Sequence, residues 1–427
     1  MSIASLFKDF RLALTVSNAA DISQKYGSIT TRLNADFWDI ESDQRNSLQI
    51  GSYGRHTAIE GVSDLDMVFE LPAAELERYK KLEGNGPSSM LREVRDSLKN
   101  RYPNTTIKAD GQVVGVFFNG YHVEVLPAFL NADGDYIHGD TNNGGSWKVT
   151  KPRPEIKVVN ELDKVTNGNL KDVSKMLRAW KNKDGVGIGG LLIDTFSYNF
   201  FSQSSKFNAA TYSTYPDLFL DLFTYLGALP EQEYWMAPGS GQRVRCKSKF
   251  QAKAKKAAKR CQEAIHAVGD AAQAKLWRNI FGRHFPKVVV MKEAAAAVVR
   301  DGEQFIEDLY PVDVRYDIEL DCETKEANVL RDALQKMLRS RQRVPVGRHL
   351  RFHVVDCDVP GIYSLFWKVR NRGAEAVRRD QLRGEISPDQ GKRERTEAAS
   401  FPGEHYVEVY AVQDGVVVAR DRIGVPI

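Results

Sequence analysis

A chain of 427 residues is long for a single domain, because globular domains usually hold about 100–200 residues. Apolar residues make up 42% of it and charged residues 27%, which excludes wholesale disorder and low-complexity architecture. The most apolar stretch, residues 287–301, is interrupted by Lys292 and Glu293. We therefore expect two or three globular domains and no transmembrane helix.

The N-terminus and the cysteines indicate the cellular compartment of the protein. The first residues, MSIASLFKDFRLAL, carry charges where a signal peptide needs an apolar core. The four cysteines are widely spaced and form no C-x-x-C pair, which favours reduced thiols over a disulfide framework or a zinc site. We expect a cytoplasmic protein that is not itself a membrane protein.

The first third of the chain mixes helical and strand patterns. Residues 1–46 have the apolar spacing of helices, and residues 74–100 predict another helix. Short strands are predicted from SLQIGSYGR, which runs into a glycine turn, from DLDMVFELP, and from IKADGQVVGVFF and YHVEVLPAFL, which Asn119-Gly120 joins as a hairpin. The Gly-rich and Asn-rich residues 133–155 predict a loop.

The rest of the chain changes character near residue 310. Residues 155–308 have helical spacing almost throughout, whereas five later segments alternate apolar with polar residues, and one helix-like insert, residues 327–340, interrupts them. We predict an α+β protein with a catalytic lobe at 1–154, a helical lobe at 155–308 and a β-rich domain at 309–427.

The charges are unevenly distributed. The net charge is only +4, yet residues 241–300 hold 15 Lys and Arg against three acids. Such a run could contact polyphosphate or nucleic acid, or it could be a solvated helix face. Charge alone leaves both interpretations open.

The most informative motif is Gly51-Ser52, eleven residues, and then Asp64-Leu65-Asp66. Alternate side chains of a strand share a face, so the two carboxylates point the same way and repel each other unless a cation lies between them. Oxygen ligands without nearby His or Cys suit Mg²⁺ or Mn²⁺. The Gly-Ser turn offers backbone N–H groups and a hydroxyl to phosphate oxygens.

A third carboxylate, Glu124, lies between two valines in a predicted strand. Beside the strand of Asp64 and Asp66 it would complete a site for two metal ions, which activate a hydroxyl nucleophile and stabilise leaving pyrophosphate. The pattern predicts nucleotidyl transfer from an NTP or dNTP, ATP among them. An isolated D-x-D is more often a pair of solvated turn acids, so the argument depends on the whole constellation.

The stretch QIGSYGRHTAIEGVSDLDMVFELP resembles the bacterial cGAS/DncV-like nucleotidyltransferases, the SMODS family of the DNA polymerase β-like superfamily. The segments ITTRLNADFWD, HVEVLPAF, GGSWKVTKPRPE, KDVSKMLRAWK and LWRNIFGRHFP are also similar. The later segments HLRFHVVD, FWKVRNRG, LRGEI and GEHYVEVYAVQDGVVVARDRI resemble the AGS-C domain, a proposed nucleotide sensor. The resemblance implies a two-lobed polymerase β-like core with an appended β-rich domain.

The resemblance also implies roles for individual residues. Gly51 and Ser52 would hold the donor triphosphate, and Asp64, Asp66 and Glu124 would bind two Mg²⁺ or Mn²⁺ ions. Three helix residues would also bind the nucleotide: Lys175, Ser197 and Tyr198. Lys175 would reach its triphosphate. Lys175 also fits an ordinary surface position on a helix, and Tyr198 also fits a core position.

The resemblance leaves the product open. Most relatives make cyclic di- or trinucleotides that activate a separate effector in antiphage defence. Similarity to the Hailong-type nucleotidyltransferases implies instead a single-stranded deoxyadenosine oligomer, primed on a C-terminal tyrosine, that controls a membrane channel. Tyr406 and Tyr410 are the candidate primers here. A non-catalytic nucleotide sensor and an enzyme that modifies RNA or protein are further alternatives, and the oligomeric state stays open.

Overall fold

The computed structural model describes residues 2–62, 64–288, 303–326, 329–333 and 343–427. The chain divides into two compact units, residues 1–43 with 48–294, and residues 44–47 with 295–427. The predicted boundary between a catalytic lobe and a helical lobe lies inside the first unit and stays a prediction. Most of the apolar stretch 287–301 lies outside the described residues.

The first unit contains a mixed sheet of seven strands. Its first part comprises α1 (Ile3–Ala13), α2 (Ala19–Phe37), β1 (Ser47–Gln49), α3 (Gly51–Gly54), β2 (Asp64–Glu70), α4 (Ala73–Lys81), α5 (Gly86–Arg101), β3 (Thr106–Asp110), β4 (Val113–Phe117), β5 (His122–Leu130), β6 (Tyr136–Asp140) and β7 (Ser146–Thr150). The strand order is β1-β2-β5-β4-β3, and β6 pairs with both β5 and β7. The pair β2–β5 is parallel, whereas β4 runs antiparallel to β5.

Two predictions for this region were wrong. Residues 133–155 are not a loop, because they form β6 and β7 as an antiparallel pair and then enter a helix. The segment IKADGQVVGVFF is not one strand, because it turns at Gly111, with φ +59°, into the hairpin of β3 and β4. The antiparallel pairing of β4 with β5 around Asn119-Gly120 is confirmed.

The second half of this unit is mainly helical. It comprises α6 (Pro152–Val165), α7 (Asn169–Asp184), α8 (Gly190–Gln203), α9 (Tyr215–Ala228), the hairpin β8 (Tyr234–Met236) and β9 (Arg243–Arg245), α10 (Gln251–His266) and α11 (Asp270–Phe281). Its core also takes in α1, whose Phe7 packs edge-on against Trp277 at 5.1 Å between ring centroids. A separate core lies under the sheet, where Met67 and Phe69 of β2 are fully buried.

The second unit contains two four-stranded antiparallel sheets. Its elements are α12 (Ile306–Leu309), β10 (Ile318–Glu326), β11 (Val329–Ala333), β12 (His349–Cys357), β13 (Ser364–Arg370), α13 (Ala374–Arg378), β14 (Arg383–Pro388), β15 (Glu394–Ala398), β16 (Glu404–Gln413) and β17 (Val416–Pro426). The sheet orders are β11-β10-β12-β15 and β14-β13-β16-β17. Buried residues of both sheets, such as Phe352 and Trp367, share one core.

The alternating patterns after residue 310 correctly predicted strands, and the predicted α+β class is confirmed. The prediction of a helix at residues 327–340 was wrong for the part that the structure describes, because residues 329–333 form β11. The remainder lies outside the described residues. The four cysteines are free. Among the helices described, none combines the length and apolarity that crossing a membrane requires.

Candidate active site

The three predicted carboxylates meet on two neighbouring strands. Asp64 and Asp66 alternate along β2, and the parallel register sets Asp66 opposite Glu124 and Asp64 opposite His122 on β5. Side chains that are paired across adjacent strands stand close together on one face. The fold therefore places the two D-x-D acids and Glu124 side by side, although about sixty residues separate them in the chain.

The site has more negative charge than its surroundings neutralise. The pKa of Asp66 rises from its ordinary 3.8 to about 6, chiefly through burial and then through the nearby charges of Glu124 and Asp64, although Arg55 opposes the rise. His122 lies 3.2 Å from Glu124, between its Nε2 and a carboxylate oxygen, and stacks on Phe117. A cation would relieve this excess of charge.

The Gly-Ser turn lies against the acids. The backbone N–H of Ile50 donates to the Asp66 carbonyl at 2.9 Å, which brings the turn beside β2. Gly51 has φ +64°, and a Cβ built on it would lie 1.8 Å from an Asp66 carboxylate oxygen. Only glycine fits here, because any side chain would both strain the backbone and collide with Asp66.

The acids fit a divalent cation by chemistry and register. Carboxylate oxygens are the ligands that Mg²⁺ and Mn²⁺ prefer. Burial and then the charges of Glu124 and Asp64 raise the pKa of Asp66, and a bound cation would oppose that rise. In the described part of the chain, no three Asp, Glu, His or Cys side chains already converge at metal-binding spacing.

Asp64 and Asp66 line a cleft of about 800 Å³, whereas Glu124 is not among the residues that line it. Gly51 and Ser52 line the same cleft. Five cations from β7, α7 and β9 also line it and form its basic wall: Lys148, Arg178, Lys181, Arg243 and Arg245. Cations that share a cleft with acids suit a polyphosphate that approaches with its own metal ions.

A buried ion network joins the Gly-Ser turn to the helices. Asp194 of α8 is fully buried and accepts hydrogen bonds from Arg55 Nε at 2.8 Å and from Arg178 at 2.7 and 2.9 Å. Burial would raise the pKa of Asp194, but Arg178 and Arg55 lower it below its usual range. Glu155 lies 3.5 Å from Arg55. Arg55 thus pairs inside the protein, which sequence analysis did not predict.

The sequence carries one signal for this network. Asp194 is the only acid in the apolar helix GLLIDTFSYNFFSQ of α8, and a buried acid requires a cationic partner. The sequence could not identify that partner, because Arg55 is distant from Asp194 in the chain.

Three predicted nucleotide-binding residues do not line the cleft. Ser197 is fully buried, and its hydroxyl donates to the Ile193 carbonyl within α8 at 3.0 Å. Tyr198 is half-buried against the helical core. Lys175 is half-buried on α7, whereas the same helix presents Lys181 to the cleft.

The candidate primer tyrosines lie within the sheet of the second unit. Tyr406 and Tyr410 on β16 are 4% and 3% exposed. Their hydroxyls donate to Glu303 and Glu408, respectively, and burial raises both pKa values above the ordinary range. In this fold neither hydroxyl is available as a nucleophile, so their positions do not support priming.

Comparison with known families gives the two units their identities. The sequence profile of the Second Messenger Oligonucleotide or Dinucleotide Synthetase domain, SMODS, matches residues 1–163. The profile of the Adenylyl/Guanylyl and SMODS C-terminal sensor domain, AGS_C, matches residues 300–427. The chain contains a SMODS domain and an AGS_C domain. Enzymes of this class transfer a nucleotidyl group and release pyrophosphate, as the sequence predicted.

Individual relatives are distant from this SMODS chain. The Cyclic AMP-AMP-AMP synthase of an Acinetobacter strain is 24% identical over 264 residues, which cover 58% of this chain and 74% of that protein. The structure of E. coli MS115-1 CdnC with ATP has a TM-score of 0.50 and 14% identity, covering 66% of this chain and 98% of that one. Vibrio cholerae DncV in its apo form has a TM-score of 0.47 and 14% identity, covering 67% and 87% of the respective chains. The CdnC likeness supports the fold alone.

Proposed function

We propose that this chain is a template-independent, Mg²⁺-dependent nucleotidyltransferase that joins nucleotides into an oligonucleotide signal of antiphage defence. The observation that carries the proposal is the register of β2 and β5, which sets Asp66 opposite Glu124 beside the Gly51 turn. The SMODS match over the same residues supports it.

Different residues of the cleft would bind different parts of the substrate. The Gly51-Ser52 turn would hold the donor triphosphate, because its backbone comes close to Asp66 without an intervening Cβ. Lys181, Arg243 and Arg245 on the basic wall would neutralise the phosphates and the oligonucleotide as it grows. Part of the basic region 241–300 would thereby contact phosphate, while the lysines of α10 stay outside the cleft.

The three acids would supply the negative charge that holds the metal ions of the reaction. Asp64, Asp66 and Glu124 would hold Mg²⁺, which neutralises the triphosphate and makes the attacking hydroxyl more acidic. Glu124, whose side chain is 36% exposed and lies 3.2 Å from His122, would accept the proton of that hydroxyl. Arg55, which is held by Asp194, favours the ionised form of Asp66.

The nature of the product is proposed from the relatives. Similarity to a Cyclic AMP-AMP-AMP synthase favours a cyclic oligonucleotide over a linear one, and the burial of Tyr406 and Tyr410 argues against protein-primed synthesis. The signal would activate a separate effector protein in the cytoplasm.

Incubation of the purified chain with each labelled NTP and dNTP, in Mg²⁺, in Mn²⁺ and in EDTA, tests the proposal. We expect metal-dependent release of pyrophosphate and a small product that resists phosphatase, and neither in the double variant Asp64→Asn/Asp66→Asn. A double variant as active as the native chain, or no pyrophosphate with any nucleotide, would contradict the site. Label that only protease releases would favour protein priming.

A further inference from the structure

An aromatic pair, Phe117 and His122, lies on the sheet face that carries the acids. The registers of β2, β5, β4 and β3 set one row of residues across this face: Asp66, Glu124, Gly115 and Lys108. The next row comprises Asp64, His122, Phe117 and Thr106. Side chains that are paired across adjacent strands share a face. The aromatic pair therefore stands beside the acids, on the same side of the sheet.

The two rings of the aromatic pair stack on each other. Their centroids are 5.0 Å apart and their planes differ by 19°. Gly115 makes room for the Phe117 ring, because a Cβ built on this glycine would lie 3.0 Å from a ring carbon. Gly115 pairs with Glu124 in the register of β4 and β5. The Phe117 ring therefore leans toward the row of the acids.

The aromatic pair is open to solvent. Phe117 is 41% exposed, and the His122 side chain is 23% exposed. The adjacent residues that point to the other face, Val116 and Val123, are buried in the core under the sheet. A single exposed ring on a protein surface needs no explanation. A stacked pair beside three carboxylates, however, offers a surface for another flat ring.

Further along the strands the same face is covered. Val68 and Leu126 follow Asp66 and Glu124 by two residues, and both belong to a buried cluster with Ile156 of α6. On one side of the acids the sheet face is therefore apolar and buried. On the other side it is aromatic and exposed.

The aromatic pair and the cleft adjoin different acids. Asp64 and Asp66 line the cleft, whereas Glu124 and the aromatic pair do not. In the proposed function the donor triphosphate occupies the cleft at the Gly51-Ser52 turn. Transfer between phosphates requires the attacking and leaving oxygens to be roughly in line. With the donor in the cleft, the attacking hydroxyl arrives from the side of Glu124, where the aromatic pair lies.

We propose that the aromatic pair stacks the base of the acceptor, the nucleotide whose ribose hydroxyl attacks, and that Lys108 contacts its phosphates. Every base has a π-face, so stacking suits an NTP and the end of a growing oligonucleotide alike. The Lys108 Nζ lies 5.8 Å from the Phe117 centroid. The acceptor oxygen bonds to the α-phosphorus of the donor as the bond to pyrophosphate breaks, and its proton passes to Glu124. This inference rests on the proposed function.

A single transfer between two distinguishable nucleotides tests the proposal. The donor is a 2′,3′-dideoxy triphosphate, which has no ribose hydroxyl for attack. The acceptor is an α,β-methylene triphosphate, whose α-phosphate cannot be transferred. We expect Phe117→Ala to raise KM for the acceptor at least about fivefold and to leave KM for the donor within about twofold. Phe117→Trp should retain the native values, because it keeps a stacking surface.

Lys108→Met separates the phosphates of the acceptor from its base. We expect it to raise KM for the α,β-methylene triphosphate and not for the corresponding nucleoside as acceptor. The matched control is Leu82→Ala, which removes a side chain of similar exposure, 38%, just after α4. It should change neither KM.

Calorimetric titration with the α,β-methylene triphosphate in Mg²⁺ distinguishes this inference from the proposed function, because no reaction consumes the analogue. We expect two molecules per native chain, one of them weakened at least about fivefold by Phe117→Ala. That result without pyrophosphate release from any NTP would retain the stacking site and contradict the proposed function. Pyrophosphate release with unchanged acceptor KM and unchanged binding in Phe117→Ala would overturn the stacking site alone.

Discussion

Asp66 illustrates how an active-site residue lowers stability while it serves chemistry. Burial and the charge of Glu124 raise its pKa to about 6, so the metal-free folded chain binds this proton more tightly than the unfolded chain does. Stability therefore rises as pH falls from 7 through 6 towards 4, and is lost again as pH rises through that window.

Asp66→Asn should remove this penalty. In EDTA at pH 8 we expect a gain of about 2–3 kcal/mol in the free energy of unfolding and a much weaker dependence on pH between 4 and 7. Nucleotidyl transfer in Mg²⁺ should fall at least about a hundredfold. Denaturant titrations with Asp96→Asn as control, since that carboxylate is 59% exposed, check the result. An unchanged stability would mean that the pKa of Asp66 is not raised in the folded chain.

Gly51→Ala tests the contact between the turn and the acid. Its Cβ would lie 1.8 Å from an Asp66 oxygen at φ +64°, so Asp66 or the turn must move. We expect a loss of about 2 kcal/mol or more and at least about a tenfold fall in kcat. Gly84→Ala at φ +88°, with no atom within 4 Å, is the control for backbone strain and should retain activity. Equal behaviour of the two variants would contradict the argument.

The sequence revealed the acids because they belong to a strand pattern. Asp64 and Asp66 show the period of two, and Glu124 lies between buried valines, so the shared face could be predicted before the register was known. The partners of Asp194 could not be predicted. Arg55 lies 139 residues from Asp194 in the chain, and Arg178 lies 16 residues away on the preceding helix. A charge pattern does not say which basic residue a buried acid will meet.

At the scale of elements, the Arg55–Asp194–Arg178 network connects α3, α7 and α8. Asp194→Asn should cost about 3–5 kcal/mol, because it leaves two buried guanidinium groups under-compensated. Glu161→Gln, in an exposed pair with Lys157 at 3.9 Å, should change stability by less than about 0.5 kcal/mol.

A positioning role for this network predicts more than instability. If Arg55 is released, it no longer favours ionised Asp66, so the acidic limb of the pH profile of kcat should move to higher pH in Asp194→Asn. Activity assays across pH, at a temperature where the variant is folded, measure this. Loss of stability with an unmoved profile would restrict the network to a structural role.

The hairpin of β8 and β9 extends the basic wall of the cleft. Gln242 anchors it, since its side chain donates to the Val149 carbonyl at 2.8 Å, and Arg243 follows at the cleft. Arg243→Gln should raise KM for NTP about tenfold with a smaller effect on kcat. Lys259→Gln makes the same charge change on the exposed face of α10 and should be neutral. Equal effects of both would favour a general electrostatic role for residues 241–300.

Helices and strands could be predicted where one apolar periodicity dominates the sequence. They could not be predicted where the residue types suit either a turn or a strand. The helices of residues 155–281 and the long strands β13, β16 and β17 have clear periods. Residues 133–155 were mistaken for a loop because Gly134, Gly139 and Gly145 suggest turns. At Gly139, however, the glycine lies inside β6 against Pro87 of α5, where a Cβ would approach to 2.7 Å. Close packing, which sequence does not display, explains that glycine.

At the scale of the whole molecule, each unit has its own core. The helical core and the core under the sheet belong entirely to the first unit, and the two sheets of the AGS_C domain share another. A chain of residues 1–288 should therefore unfold cooperatively and retain metal-dependent turnover of NTP.

Thermal unfolding and pyrophosphate release measure this prediction, with full-length protein and with 1–288 carrying Asp66→Asn as references. Removal of the AGS_C domain takes no residue from the cleft. We therefore expect kcat of the truncated chain to stay within about tenfold of that of the full chain. A truncated chain that folds cooperatively but no longer turns over NTP would show that the AGS_C domain is required for catalysis. A chain that fails to fold would show that the first unit depends on the second for stability.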